Sequence, residues 1–167
     1  VTAGGFYAGA GTENVDFAGV KQEYDLWAGY VLPLGGTTKL DVGVVRYGYV
    51  DAPADIDTVE IKGALSTSVG QTGLGLAAYW TPDYCGTDNS AIYTEVTASQ
   101  PLMDKLTLSG AVGYQSISNS GADYVNWNAG LKYEVLPGAS VDVRYHDTDE
   151  AGDVFGSRIV GSFAIGF

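Results

Sequence analysis

The chain has 167 residues, 46% hydrophobic and 17% charged, with 24 glycines, 12 tyrosines and a formal net charge of −12. This is one domain's length, with too many aromatics and too little charge for disorder, and no apolar run nears the ~20 residues of a membrane-spanning helix. The acid excess repels phosphate backbones and the eight Lys and Arg form no run, which excludes nucleic acid as a partner.

Period-two alternation recurs along the chain, and about ten strands can be drawn. After an opening block, GTENVDFAGVK (11–21) reads as an acid-rich link. EYDLWAGYVL then sets Tyr24, Leu26, Ala28, Tyr30 and Leu32 on one face and Glu23, Asp25 and Gly29 on the other. Across the short link PLGGTT, the next strand carries Leu40, Val42 and Val44 opposite Asp41 and Gly43. Arg46 breaks its apolar parity, which calls for a bulge near the rim or snorkelling to headgroups. Past DAPADID, TVEIKGALS opposes Val59, Ile61 and Leu65 to Glu60, Lys62, Ala64 and Ser66.

Further strands, separated by VGQTG, TPDYCGTDN, PLMDK and SISNSGAD, place Trp80 and Tyr114 with the apolar residues and Gly75, Ala77, Tyr79, Tyr93, Glu95, Ser109, Ala111 and Gly113 opposite. YVNWNAGLKYEV repeats the contrast, Val125, Trp127, Ala129, Leu131 and Tyr133 against Asn126, Asn128, Gly130, Lys132 and Glu134. ASVDVRYHD sets Val141, Val143 and Tyr145 against Asp142, Arg144 and His146, and SRIVGSFAIGF closes with Ile159, Phe163 and Ile165 against Arg158 and Ser162.

Alternation alone fits a soluble sandwich as well as a membrane barrel. Three features favour the barrel. Aromatics gather on the apolar parity toward strand ends, as interfacial girdles require. The opposite parity mixes charge with Gly, Ala and Ser, which suit a crowded lumen. Longer acid-rich links alternate with short, nearly uncharged ones, the asymmetry of outer loops and periplasmic turns. The expected fold is an all-β, antiparallel, up-and-down transmembrane β-barrel in the outer membrane of a Gram-negative bacterium. Phe167 resembles the closing aromatic that barrel-assembly machinery recognises, with the C-terminus at the periplasmic side.

GFYAGAGTENVDF, EYDLWAGY, LDVGVVRYGY, AYWTPDYCGTDNSAIY, YHDTD and SRIVGSFAIGF together resemble the TorF family, also called Gcw_chp, of proteobacterial outer-membrane proteins. Cys85 stands where the family pattern leads one to expect Phe. The resemblance implies a further strand or hairpin upstream and about twelve strands in an intact barrel. The opening at Val1 lacks a leader pattern, so a mature form or a fragment is expected.

The expected lumen residues are Glu23, Asp25, Asp41, Glu60, Lys62, Glu95, Lys132, Glu134, Asp142, Arg144, His146 and Arg158. They read either as a polar conduit with cation preference or as a plug of paired charges. Cys85, the lone cysteine, forms no internal disulfide and reads as an idle loop thiol. DTDEAGD lacks the frame and closing Glu of a calcium loop, so its charge is solvated. His146 and Asp147 would point to opposite faces and cannot form an orienting pair. No catalytic residue, metal site or cofactor is expected. Partners are membrane lipid, lipopolysaccharide, with Arg46 as a candidate phosphate contact, and the assembly machinery. The leading function is a narrow porin-like transport role. An accessory barrel of a cell-envelope protein complex is the alternative, and a lipid-modifying enzyme is third.

Overall fold

Alternation becomes strand pairing along the whole chain in the computed structural model, which describes residues 1–17, 19–120, 122–152 and 155–166. The strands are β1 (Thr2–Ala3), β2 (Phe6–Phe17), β3 (Val20–Gly35), β4 (Thr38–Tyr49), β5 (Thr58–Val69), β6 (Thr72–Thr81), β7 (Ala91–Met103), β8 (Leu106–Ile117), β9 (Tyr124–Leu136), β10 (Ala139–Thr148) and β11 (Arg158–Ile165). Sheet order equals chain order, and neighbours run antiparallel. Among the described residues this is an all-β, up-and-down sheet of eleven strands; the expected ten correspond to β2–β11, with β1 a two-residue stub.

Tight turns and longer loops alternate as the acid content of the links implies. The turns at 36–37, 70–71, 104–105 and 137–138 are the uncharged or short links, and Gly70 (φ 62°) and Gly138 (φ 80°) supply the left-handed backbone they need. Loops 50–57 and 82–90, with the described parts of the links 118–123 and 149–157, lie at the opposite end. The first acid-rich link departs from expectation. In GTENVDFAGVK, β2 runs to Phe17 and β3 begins at Val20, because Thr12, Glu13 and Asn14 pair with Tyr24, Glu23 and Gln22. Pairing there satisfies backbone groups that a loop would leave to water.

Carboxylates in the other loops cap strand ends. Asp57 accepts the Tyr49 N–H at 3.2 Å, Asp123 the Ile117 N–H at 2.8 Å, and Asp149 the Val125 N–H at 2.7 Å. Much of the acidity that reads as solvated charge is therefore tied to backbone. Arg46 needs no bulge: its register with Leu26 and Val59 is continuous, and it donates to Asp57 at 2.6 Å. Phe167 and Asp153 lie outside the described residues.

The two faces of the sheet are inverted relative to a soluble protein. On the apolar face, Leu76 (53% exposed), Val112 (57%) and Val143 (52%) stand uncovered, while on the other face Glu23 (8%) and Gln115 (5%) are buried. Among the described residues the buried hydrophobic ones are only Val20, Ala91 and Ala139. Among the described residues no second layer covers the polar face, so its shielding comes from curling of the sheet toward that face. The sheet is open, however: β1 touches only β2, and β11 only β10. Closure into a complete barrel, as expected from the sequence, is not seen.

Glycines on the polar face leave paths for long side chains to cross a strand. Tyr7 of β2 passes over Gly29 and Gly43 to reach Asp41 of β4, and Tyr93 of β7 passes over Gly113 to reach Asn126 of β9. A Cβ at Gly113 would overlap Tyr93 Oη, whereas a Cβ at Gly63 meets nothing within 4 Å. We predict that Gly113→Ala destabilises the protein by about 1–3 kcal/mol and Gly63→Ala by no more than about 0.5 kcal/mol, measured by urea unfolding in lipid vesicles.

Candidate functional site

The polar face is organised by cross-strand register. Tyr7, Gly29, Gly43, Lys62, Tyr79, Tyr93, Gln115 and Tyr124 are successive partners from β2 to β9. This girdle divides the face into a loop-side half and a turn-side half.

At the girdle, Lys62 Nζ donates to Asp41 Oδ2 at 2.6 Å and Tyr7 donates to Asp41 Oδ1 at 2.7 Å. Lys62 Nζ also lies 5.8 Å from the Tyr7 ring centroid, within cation–π range. Tyr93 Oη stands 3.1 Å from both Glu95 Oε2 and Asn126 Oδ1, with the Tyr79 ring 6.2 Å from its own. On the turn side, Arg144 passes over Gly130 and donates to Asp142 (3.0 Å), Asn128 (2.6 Å) and Ser109 (2.7 Å). Around that cluster lies a cavity of about 630 Å³, lined largely by small and hydroxyl side chains such as Ser66, Ser68, Thr97, Ser99 and Ser109.

The loop-side half is charged differently. Glu60 accepts from Tyr47 at 3.2 Å and Glu23 accepts from Tyr49. Glu13, Glu23 and Asp25 offer carboxylate oxygens within 4.8 Å of one another, and the Asp25 Oδ1 atom is buried with no hydrogen-bond partner. Among the described residues, the salt bridges join Lys21 to Asp16, Arg46 to Asp57, Lys62 to Asp41 and Arg144 to Asp142. None reaches Glu13, Glu23, Asp25 or Glu60. Tyrosine hydroxyls, not cations, are what the structure offers Glu23 and Glu60.

The twelve expected lumen residues all fall on the polar parity, but they do not form one cluster. Glu23, Asp25 and Glu60 are on the loop side. Asp41, Lys62 and Glu95 belong to the girdle and Asp142 and Arg144 to the turn-side cluster. Lys132 and Glu134 are exposed near the turn end of β9. His146 is half-buried opposite Arg158 and Asn128, and Arg158 is exposed at the start of β11. Ser162 lies opposite Asp142, away from His146. Asp147 turns to the apolar side, where Tyr145 donates to it at 3.0 Å.

Parity reasoning missed Trp27, which shares the face of Asp25 and Gly29 and lies against Gly9 and Gly11. The two glycines on β2 were the signal: a ring that size needs neighbours without a Cβ. It also missed Tyr84 and Cys85, because loop residues carry no parity. The Cys85 N–H donates to Thr58 Oγ1 at 2.9 Å. Burial raises the Cys85 thiol above its ordinary range, and desolvation pushes Tyr84 up to about 12.

Comparison with known proteins follows this geometry. The family model described as "Bacterial protein of unknown function (Gcw_chp)" matches residues 1–164. Among curated proteins, nothing matches. Among solved structures, a porin shares the fold at a TM-score of 0.57 and 17% identity, over 98% of this chain and 59% of the porin chain. The likeness is of fold, a porin-like antiparallel sheet, and this chain spans 59% of the porin's length.

The partly buried Lys62–Asp41 pair sets a stability test. Removing one partner strands the other charge. Lys62→Met is expected to cost about 1–3 kcal/mol, and the Lys62→Met/Asp41→Asn double variant less, in vesicle unfolding. A second test uses the loop thiol. Because a raised value keeps the thiol neutral to higher pH, Cys85 should alkylate more slowly at neutral pH in the folded protein than in urea, the difference shrinking as pH rises through the folded value.

Proposed function

The chain belongs to the Gcw_chp family, and on that footing we propose that it serves in the outer membrane as a narrow porin-like barrel, with lipid on the apolar face and water on the polar one. The observation that carries this reading is the inverted burial, with exposed Leu, Val and Ile on one face and shielded ion pairs on the other. In a soluble protein that apolar face would need a covering layer. In a bilayer it needs none. The free edges of β2 and β11 then have to be paired, because hydrocarbon offers no hydrogen bonds to an open edge.

Aromatic placement supports the same orientation. Tyr24, Trp80, Tyr114, Trp127 and Tyr145 stand toward the loop end of the apolar face, and Phe6, Tyr30, Tyr133 and Phe163 toward the turn end. Two such belts fit the two interfaces of a membrane. We assign the loops to the outside and the turns, with the C-terminus, to the periplasm, where the last strand engages the assembly machinery. Lipid and lipopolysaccharide are the surrounding partners, and no catalysis is assigned to His146. An accessory barrel in an envelope complex is the second reading; the side chains that fill the loop-side half favour it.

For the pore, the acids without cation partners on the loop side predict preference for small cations. In a planar bilayer under a KCl gradient, the reversal potential should have the sign of cation selectivity. Glu60→Gln combined with Asp25→Asn should lower the cation-to-anion permeability ratio by roughly twofold or more. Anion selectivity in the parent protein would contradict the reading. The lipid assignment has its own test: Leu76→Arg should destabilise by about 2–4 kcal/mol in vesicles, against little change for Ala77→Ser on the other face.

A further inference from the structure

Loop 82–90 joins β6 to β7, yet its residues bond one strand further back and act electrostatically on groups along the sheet on both sides. Cys85 bonds Thr58 at the start of β5 and lies within electrostatic reach of Glu23 on β3 and Glu60 on β5. Tyr84 lies within such reach of Glu60 and of Tyr124 on β9, and both loop residues act on Tyr49 of β4. A loop rooted between β6 and β7 that bonds Thr58, abuts Asp55 and acts electrostatically on groups from β3 to β9 leans over the mouth of the curled sheet.

The loop is built as a unit. Tyr84 N–H donates to Asn89 O at 2.8 Å, Asp88 N–H to Asp83 Oδ1 at 2.8 Å, and Thr81 Oγ1 to Asp83 O at 2.9 Å. Cys85 (φ 53°) and Asp88 (φ 57°) hold left-handed backbone, which is disfavoured for a side-chain-bearing residue and needs support from its surroundings. The imposing contacts are few. Thr58, 3% exposed, both accepts from Cys85 N–H and donates to Cys85 Sγ, and Gly86 abuts the Asp55 carbonyl so closely that a Cβ there would overlap it.

We propose that loop 82–90 is a plug closing the loop-side mouth of the polar face, with Tyr84 as the barrier residue and Thr58 as the latch that holds it. The cavity of about 630 Å³ beyond the girdle is then a vestibule entered from the turn side, and passage from one side to the other requires the plug to swing away. This rests on the pore reading and adds where that pore is closed and by what. The closure has a simple energetic basis. One ordinary hydrogen bond and one weak contact to sulfur, both at a single hydroxyl, oppose two left-handed residues. Such a balance makes a plug that is shut at rest and can be released.

The test uses the full chain in planar bilayers, with folding of each variant checked by heat modifiability on electrophoresis. Thr58→Val removes the latch and Tyr84→Ala the barrier; either should raise single-channel conductance several-fold, while Thr58→Ser, which keeps the hydroxyl, should match the parent. Thr58→Val should also speed labelling of Cys85 by a membrane-impermeant maleimide. If parent and both variants conduct alike and Cys85 labels at the same rate, the plug is overturned and the pore reading stands. If folded variants and parent are all silent, the pore reading fails and the plug with it.

Discussion

The structure rests on one constraint: a single curled sheet has no second layer, so each face must be satisfied by its own solvent or by itself. The apolar face meets this with uncovered aliphatic side chains between two sets of aromatics. The polar face meets it by bridging. Tyr7 reaches across β3, Tyr93 across β8 and Arg144 across β9, each to a partner two strands away. These bridges are cross-ties on the inner surface of the curl, and each depends on a glycine in the strand it crosses.

That dependence revises what small residues mean on this face. Gly29, Gly43, Gly113 and Gly130 suit a crowded interior in the general sense, since narrow lumens have little room. Their specific role is a lowered path beneath Tyr7, Tyr93 and Arg144. Trp27 over Gly9 and Gly11 is the same device with an indole. Long polar or aromatic residues and glycine are therefore one pattern read on adjacent strands, and neither is interpretable alone.

The alternation of faces was legible in the sequence because its period is a property of the extended backbone, and the order of strands because short links join antiparallel neighbours. Leu26, Ile61, Leu131 and Val143 fall where their parity puts them, and so do all the charged residues assigned to the opposite face. Three things were not legible. The link around Glu13 and Asp16 has loop composition but strand pairing, since register with β3 is decided by backbone partners rather than by side-chain polarity. The pairing of individual charges depends on register and side-chain direction, which parity does not give: Lys62 of β5 reaches diagonally to Asp41 on the adjacent β4, and Arg144 folds back to Asp142 two residues away on β10. Thus Asp41 and Asp142 are ion-paired while Glu23 and Glu60, of the same parity and type, are not. Closure is a further case: parity implies a sheet with a wet side and an oily side, but the pairing of its outermost edges is not a property of any one strand.

Most departures from ordinary stability rules collect at one end of the molecule. The turn-side half has its ion pair and its hydroxyls in regular arrangement, with Lys105 (φ 69°) as its left-handed exception among the described residues. At the loop side are the buried, unpartnered Asp25 Oδ1, three convergent carboxylates, and the left-handed Cys85 and Asp88. A fold that needed only a rigid shell would gain by relieving each of these, since an unsatisfied buried oxygen costs about 1–3 kcal/mol. Stability concessions gathered in one place are the mark of a site that works through charge or motion. Here they share one end of the sheet with loop 82–90, so the loop-side mouth, rather than the geometric centre of the polar face, is where selectivity and control belong.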